Sequence, residues 1–193
     1  MVAKMSRSKK SLCTANDKTL PRVTEVLRIL DDSYAGVPQH AMEAAAERGE
    51  LLHRLCLSYL ASLDGLCEAP SVDTIPTEYR QAYLAFAQWC TANQVEPVAV
   101  EQPSISTLHR FAGTPDALVL FGPHRLLVII DLKFTASILR TNKVQVQAYW
   151  RLDLYKDAAR AMLLHISPLS GELKPHNIPK TTHDWAGFLN ALS

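Results

Sequence analysis

Gly113-Thr114-Pro115-Asp116, followed by Arg125-Leu126-Leu127-Val128-Ile129-Ile130-Asp131-Leu132-Lys133, is the stretch whose reading decides the fold. Phe111 to Phe121 alternates and then runs apolar, Gly122-Pro123 is a strong turn signal, and Leu126 to Ile130 is an unbroken apolar run rich in β-branched residues. Two such runs around a turn predict a β-hairpin, with the second strand buried on both faces in the middle of a sheet. That strand ends in Asp131, with Lys133 two residues on and therefore on the same face.

Ionised groups at the mouth of a buried strand are costly unless they are paired or hold a metal. Asp116 is placed inside the first strand, so hairpin pairing brings it towards Asp131, and two carboxylates held together repel unless a cation lies between them. A divalent ion such as Mg²⁺, which takes oxygen ligands, removes that repulsion and leaves Lys133 beside a water in its shell. The same residues also describe an ordinary Asp131–Lys133 ion pair at a strand end, with Asp116 in a turn. The tripeptide alone does not decide between the two.

Outward from the hairpin, Thr24 is placed as the cap of a short helix through Leu30, and Pro38 to Leu63 reads as a long helix with proline in its first turn. At 100° per residue Met42, Ala46, Gly49, His53, Cys56 and Leu60 share one stripe, which sets His53 in the middle of the inward face. Gly49, one turn earlier, leaves room for a backbone or a ligand. A histidine on such a stripe is either a satisfied core residue or a ligand. Pro76 to Asn93 is a second helix with Tyr79, Tyr83, Phe86 and Cys90 inward. Val95 to Gln102 alternates as a strand, with Val98 and Val100 on one face and Ala99 and Glu101 on the other. Ser104 to His109 is a strand, a bulge or a connection. After Lys133, a helix is placed from Asn142 to Ala159, with Gln145 and Tyr149 one turn apart on a shared face. Ala161 to Ile166 is a strand, Ser170-Gly171 a turn, and Thr182 to Leu192 a closing helix capped by Thr181 or Thr182.

Pro115-Asp116 with Asp131-Leu132-Lys133 resembles the motif of the PD-(D/E)xK nuclease superfamily. Gly113-x-x-Asp116, Arg48-Gly49-x-x-x-His53 and Gln145-x-x-x-Tyr149 are similar to its RecB-like and lambda-exonuclease-like branch, and Pro21-x-Val23-Thr24-x-Val26-Leu27 resembles the opening of phage and mitochondrial genome maintenance exonucleases. These elements follow the family's order from Pro21 to Tyr149. Phe134 departs from it, standing where small or hydroxylated residues are frequent. The resemblance implies an α/β fold with a restriction-endonuclease-like core, a central mixed sheet flanked by the His53 and Gln145 helices. It implies Mg²⁺ or Mn²⁺, as one or two ions, on His53, Asp116, Asp131 and the backbone carbonyl of Leu132. Lys133 would orient or deprotonate the attacking water, and Glu101 would hold a second ion or a water. Gln145, Tyr149 and Arg48 would support the site or contact DNA.

The implied activity is metal-dependent hydrolysis of DNA phosphodiester bonds from ends, in a phage or mobile-element recombination or replication module with a recombination or single-strand annealing protein as partner. A structure-selective endonuclease and a non-catalytic DNA-binding recombination accessory protein are the alternatives. Composition fits a soluble globular chain: 193 residues, 48% hydrophobic and 20% charged, suffice for one domain and not for an attached helicase motor. A net charge of +1 requires any polyanion to be met by a local concentration of basic residues. Residues 1–18, with Lys4, Arg7, Lys9 and Lys10, read as a flexible basic arm, and 19–193 as a single domain. No apolar run reaches the roughly 20 residues of a membrane span, and no secretion signal precedes the domain, so a cytoplasmic protein is expected. Cys13, Cys56, Cys67 and Cys90 lack the close spacing that a zinc site or an iron–sulfur cluster needs.

Overall fold

A computed structural model describes residues 14–15, 18–30, 39–65 and 67–193. Lys4, Arg7, Lys9 and Lys10 of the expected basic arm lie outside the described residues. From the same arm, β1 (Thr14–Ala15) pairs antiparallel with β2 (Lys18–Thr19). The chain continues through α1 (Val23–Arg28), α2 (Gln39–Ser62), α3 (Arg80–Ala92), β3 (Glu96–Val100), β4 (Ser104–Ser106), β5 (Phe111–Gly113), β6 (Ala117–Phe121), β7 (Leu126–Lys133), α4 (Arg140–Tyr149), β8 (Arg160–Ile166), β9 (Leu173–Ile178) and α5 (Thr182–Leu192).

The fold is α/β, a mixed five-stranded sheet in the order β3-β6-β7-β8-β9 with helices on both faces. All neighbours are antiparallel except β7 and β8, which are parallel and joined through α4. The run Leu126–Ile130 thus occupies the central strand, and period two divides it: Leu127 and Ile129 face the core under α1, α4 and α5, while Val128, Ile130 and Leu132 face the core under α2 and α3. Burial on both faces is why the run is apolar throughout.

Several expectations are corrected. Phe111–Phe121 is not one strand: β5 pairs with β4 in a separate two-stranded sheet, and residues 114–116 turn the chain before β6 begins. β7 does not end at Asp131 but runs on to Lys133, and the two lie in the ladder opposite Leu163 and His165. The bulge between Pro97 and Ala99 breaks the alternation in β3, leaving Val98 exposed while Val100 packs inward. Thr24 does not cap α1; Arg22 precedes the helix, and its backbone N–H is taken by the Glu25 carboxylate at 2.9 Å. α4 starts at Arg140 and ends at Tyr149, giving way to turns rather than running on to Ala159. β9 had no counterpart in the sequence reading; Pro175 in its middle forfeits a ladder donor. It is tolerated on an outer strand, which is where it lies.

Two polar or small residues fix how the layers meet. Gln147 is fully buried; its Nε2 donates to the Pro179 carbonyl at 2.7 Å, and its Oε1 accepts from the Thr181 amide at 3.2 Å and from Arg151 Nη1 at 3.1 Å. It therefore ties α4 to the segment that leads into α5. Gly171 turns β8 into β9 with φ +70°, and a Cβ there would stand 2.7 Å from the backbone carbonyl of Gln81 in α3. Gly171→Ala should lower stability by about 2 kcal/mol, from the left-handed backbone and the backbone clash together, read as a lower midpoint in urea with an unchanged slope. An unchanged midpoint would mean that α3 does not pack this closely.

Cys56 and Cys90 are buried, and burial pushes both thiols up, that of Cys90 to about 12, whereas Cys67 is exposed. A thiol reagent should therefore modify Cys67 in the folded protein, and reach Cys56 and Cys90 only after denaturation, as read by peptide mapping.

Candidate active site at the end of the central hairpin

The site is built where the ladder between β6 and β7 stops. Their ladder ends at Ala117 opposite Ile130, one residue after Asp116. There the Asp116 side chain takes over from the backbone: its Oδ2 accepts the Leu132 amide at 2.6 Å. A residue's N–H and C=O leave a strand on the same side, so the Leu132 carbonyl also faces Asp116. Asp116 is not inside the strand, as expected, but at its threshold.

The other oxygen of Asp116, Oδ1, lies 2.9 Å from Nε2 of His53 on α2. Asp131 is 1% exposed, and its Oδ2 lies 2.6 Å from Nζ of Lys133, whose side chain is 15% exposed. This is an ion-pair contact outside hydrogen-bond geometry, so Oδ2 makes no hydrogen bond although it is buried. The ordinary ion-pair reading of Asp-x-Lys is met: the Lys133 ammonium is the partner of that oxygen.

Electrostatics tie these groups together. Burial lowers the His53 pKa, but the Asp116 hydrogen bond and charge, then the charges of Glu101 and Asp131, outweigh it and raise the value overall. Burial first, and then Asp116, raise the Asp131 carboxyl to about 6 against the opposing pull of Lys133 and His53. Tyr149 is buried, and burial followed by the charges of Asp131 and Asp116 pushes its phenol far up. Its hydroxyl accepts a hydrogen bond from Gln145 Nε2 at 2.7 Å.

Asp116, Asp131, Lys133, His53, Leu132, Tyr149 and Gln145 are thus brought to one end of the hairpin. Glu101 joins them from the end of β3: it is exposed, has φ +46°, and its N–H donates to the Asp116 carbonyl at 2.9 Å. Arg48 is not brought in. Five residues before His53, it lies about 140° round the helix, exposed, beside a hollow of about 390 Å³ lined by Ala44, Glu47, Leu51 and Tyr79. The expected stripe on α2 holds only in its second half. Cys56 and Leu60 are fully buried and His53 half-buried, but Ala46 is exposed; Met42's side chain lies outside the described residues. Among the described residues Gly49 has no close neighbour, since a Cβ there would meet nothing within 4 Å.

Gly113 matters for a different reason. A Cβ on it would stand 3.1 Å from Val23 and Leu152 and 3.3 Å from the Tyr149 ring, so its smallness lets the turn before Asp116 press against α1 and α4. Tyr155, which sequence reasoning passed over, is fully buried, and its hydroxyl donates to the Gln102 carbonyl at 2.7 Å. The only hint was an aromatic residue in the stretch expected to be helical.

Among the described residues, no three His, Cys, Asp or Glu side chains are already spaced as a metal cage. The donor set nevertheless suits a divalent cation. A ring nitrogen and a carboxylate oxygen 2.9 Å apart cannot both present lone pairs, so a proton holds them here and a cation would replace it as they part. The Asp131 carboxylate, ion-paired with Lys133, would add oxygen of the hard type that Mg²⁺ and Mn²⁺ take.

Neither a family model nor a curated protein sequence matches the chain. Solved structures with a similar course include the crystal structure of SSO0001, 15% identical over 93% of this chain and 76% of that one with a TM-score of 0.46. Another is LHK-Exo in complex with dAMP, 13% identical over 90% and 84% with a TM-score of 0.48. Both likenesses are remote, below the level at which an activity carries over.

A carboxyl whose pKa is higher folded than unfolded holds its proton more tightly in the fold, so it opposes folding increasingly as pH rises from 3.8 through about 6. Asp131→Asn should therefore stabilise the metal-free protein at pH 7 by on the order of 1–3 kcal/mol and flatten the fall in stability between pH 4 and 7, as read by urea unfolding across pH. A destabilised variant would mean that the Lys133 pair outweighs burial.

Proposed function

We propose that the chain is a divalent-metal-dependent nuclease that hydrolyses phosphodiester bonds of DNA, working from ends. The observation that carries this reading is the buried Asp131 beside Lys133, with Asp116 and His53 in contact one strand away. A fold seldom keeps a carboxyl that opposes it unless the group serves chemistry. The order of the motifs around it, from Pro21 to Tyr149, supports the RecB-like and lambda-exonuclease-like branch, and with it exonuclease action over endonuclease action.

In this reading His53, Asp116, Asp131 and the Leu132 carbonyl hold Mg²⁺ or Mn²⁺, with Glu101 for a second ion, and the bound metal supplies charge stabilisation to the phosphoryl group and its leaving oxygen. The remaining work falls to the chain. Lys133, anchored by Asp131, presents its ammonium to the attacking water and, when unprotonated, takes its proton. Asp116 keeps the Leu132 backbone in place through its amide, so one side chain sets both a carboxylate and a carbonyl. Gln145 fixes the Tyr149 hydroxyl beside the two carboxylates, limiting the freedom of the site. A phage or mobile-element setting, with a recombination or annealing protein as partner, follows from the kind of enzyme proposed. The described helices bear on membrane association only in that none is long and apolar enough to cross a membrane.

The test is cleavage of end-labelled linear DNA and of closed circular DNA with Mg²⁺, with Mn²⁺ and with chelator. Linear DNA alone should be degraded, and only with metal. Asp116→Asn, which still accepts the Leu132 amide, and Lys133→Met should each lower the rate at least about 10²-fold, with Asp116→Asn keeping its circular dichroism. Cutting of circles would make the protein an endonuclease. Binding without cleavage would make it a DNA-binding accessory protein.

A further inference from the structure

The ladder between β7 and β8 ends where the charges stand. Lys133 opposite His165 is its last pair, and the chain leaves the sheet at Phe134. Period two sets the faces. Ile129 on β7 and Leu163 on β8 both point into the core under α1, α4 and α5, so Lys133 and His165, an even number of residues further on, stand side by side on that face.

A terminal ladder pair opens more readily than an inner one, because nothing beyond it holds the strand. Here the His165 side chain supplies what the backbone no longer does. Its Nε2 lies 2.6 Å from the Thr135 carbonyl, two residues past Lys133. A carbonyl oxygen can only accept, so Nε2 carries a hydrogen and donates, in the neutral ring and the charged ring alike. The Thr135 hydroxyl in turn donates to the Ser137 carbonyl at 2.8 Å, and the His165 ring is backed by that of His176 on β9, with centroids 6.1 Å apart. Lys133 is thus held twice: its ammonium lies 2.6 Å from Asp131, and the backbone behind it is fastened through Thr135 to His165. The first hold does not replace the second, since a lysine stem of four carbons swings with the backbone that carries it.

We propose that His165 is a positioning residue for Lys133: by holding the Thr135 carbonyl it keeps the end of β7 in the sheet, and with it the lysine ammonium at the attacking water. This rests on the nuclease reading above. Without the imidazole, the segment from Lys133 to Thr135 frays and the ammonium spends part of its time away from the water. His53, Asp116 and Asp131 keep their places, because none of them is fastened through Thr135. The loss falls on the chemical step and not on the binding of metal or DNA.

The experiment is single-turnover cleavage of end-labelled linear DNA at saturating Mn²⁺ by the natural full chain, His165→Leu, His165→Gln, Lys133→Met and the double variant His165→Leu with Lys133→Met. Amide hydrogen exchange over β7 is followed alongside, without DNA. His165→Leu should lower the maximal rate about fivefold, the equivalent of one hydrogen bond, and leave the DNA concentration for half-maximal rate unchanged. His165→Gln, whose side-chain N–H can meet the same carbonyl, should restore most of that rate. His165→Leu should add nothing to the loss in Lys133→Met, and should speed exchange at the end of β7 but not at Ile129 or Ile130. His165→Leu cutting at the natural rate would overturn the proposal, as would His165→Gln as slow as His165→Leu, or a further fivefold loss on top of Lys133→Met. A natural protein that cuts no DNA with Mg²⁺ or Mn²⁺ would remove the nuclease reading and this proposal with it; faster exchange in His165→Leu would then mark the bond as a strand-end fastening only.

Discussion

A carboxyl group buried in the central strand of a sheet is the constraint on which this structure depends. Asp131 is 1% exposed, in a strand whose five preceding residues are all aliphatic. Desolvation makes its charge costly, and the second carboxylate at Asp116 makes it costlier. Every nearby feature answers that cost. Lys133 stands two residues on, on the same face. His53 reaches from α2 to occupy Asp116. Tyr149 and Gln145 close the site from α4, and Gly113 is small so that the turn carrying Asp116 can press against them. Burial and the neighbouring carboxylate hold the Asp131 pKa up, so the charged group opposes folding, and in the proposed reading a divalent cation would relieve that opposition. That is the relation between stability and function expected of a site kept for chemistry.

The two faces of the sheet contribute unequally. The α2–α3 side supplies His53 and a core of Cys56, Leu60, Phe86 and Cys90, none of which reaches the carboxylates except the histidine. The side under α1, α4 and α5 supplies Tyr149, Gln145 and Tyr155, and it is secured by Gln147, which spends its amide on the segment leading into α5. The site thus sits where the hairpin leaves the sheet, reached by a helix from each side.

Much of this was legible in the residues. The central strand, the hairpin and the approach of Asp116 to Asp131 follow from an apolar run, a turn and period two, because burial on both faces leaves the sequence little choice. What was not legible depends on contacts between distant segments. The outer strand β9 carries Pro175, and a local rule against proline gives way at a sheet edge. The bulge in β3 undid a simple alternation. Arg48 looked like a neighbour of His53 in the motif but lies round the helix from it, because five residues make one turn and almost half of another. Gln147 and Tyr155 carried no motif, and their roles come from carbonyls more than thirty residues away.

The most direct test of the central claim is a crystal structure of the protein grown with Mn²⁺ and measured at a wavelength where manganese scatters anomalously. An anomalous peak ligated by His53, Asp116 and Asp131, with the His53–Asp116 contact opened to admit it, is the predicted result. Crystals saturated with Mn²⁺ that keep that contact closed, with no peak at the hairpin or one elsewhere, would contradict it and leave Asp131 and Lys133 as an ion pair inside a fold without metal chemistry.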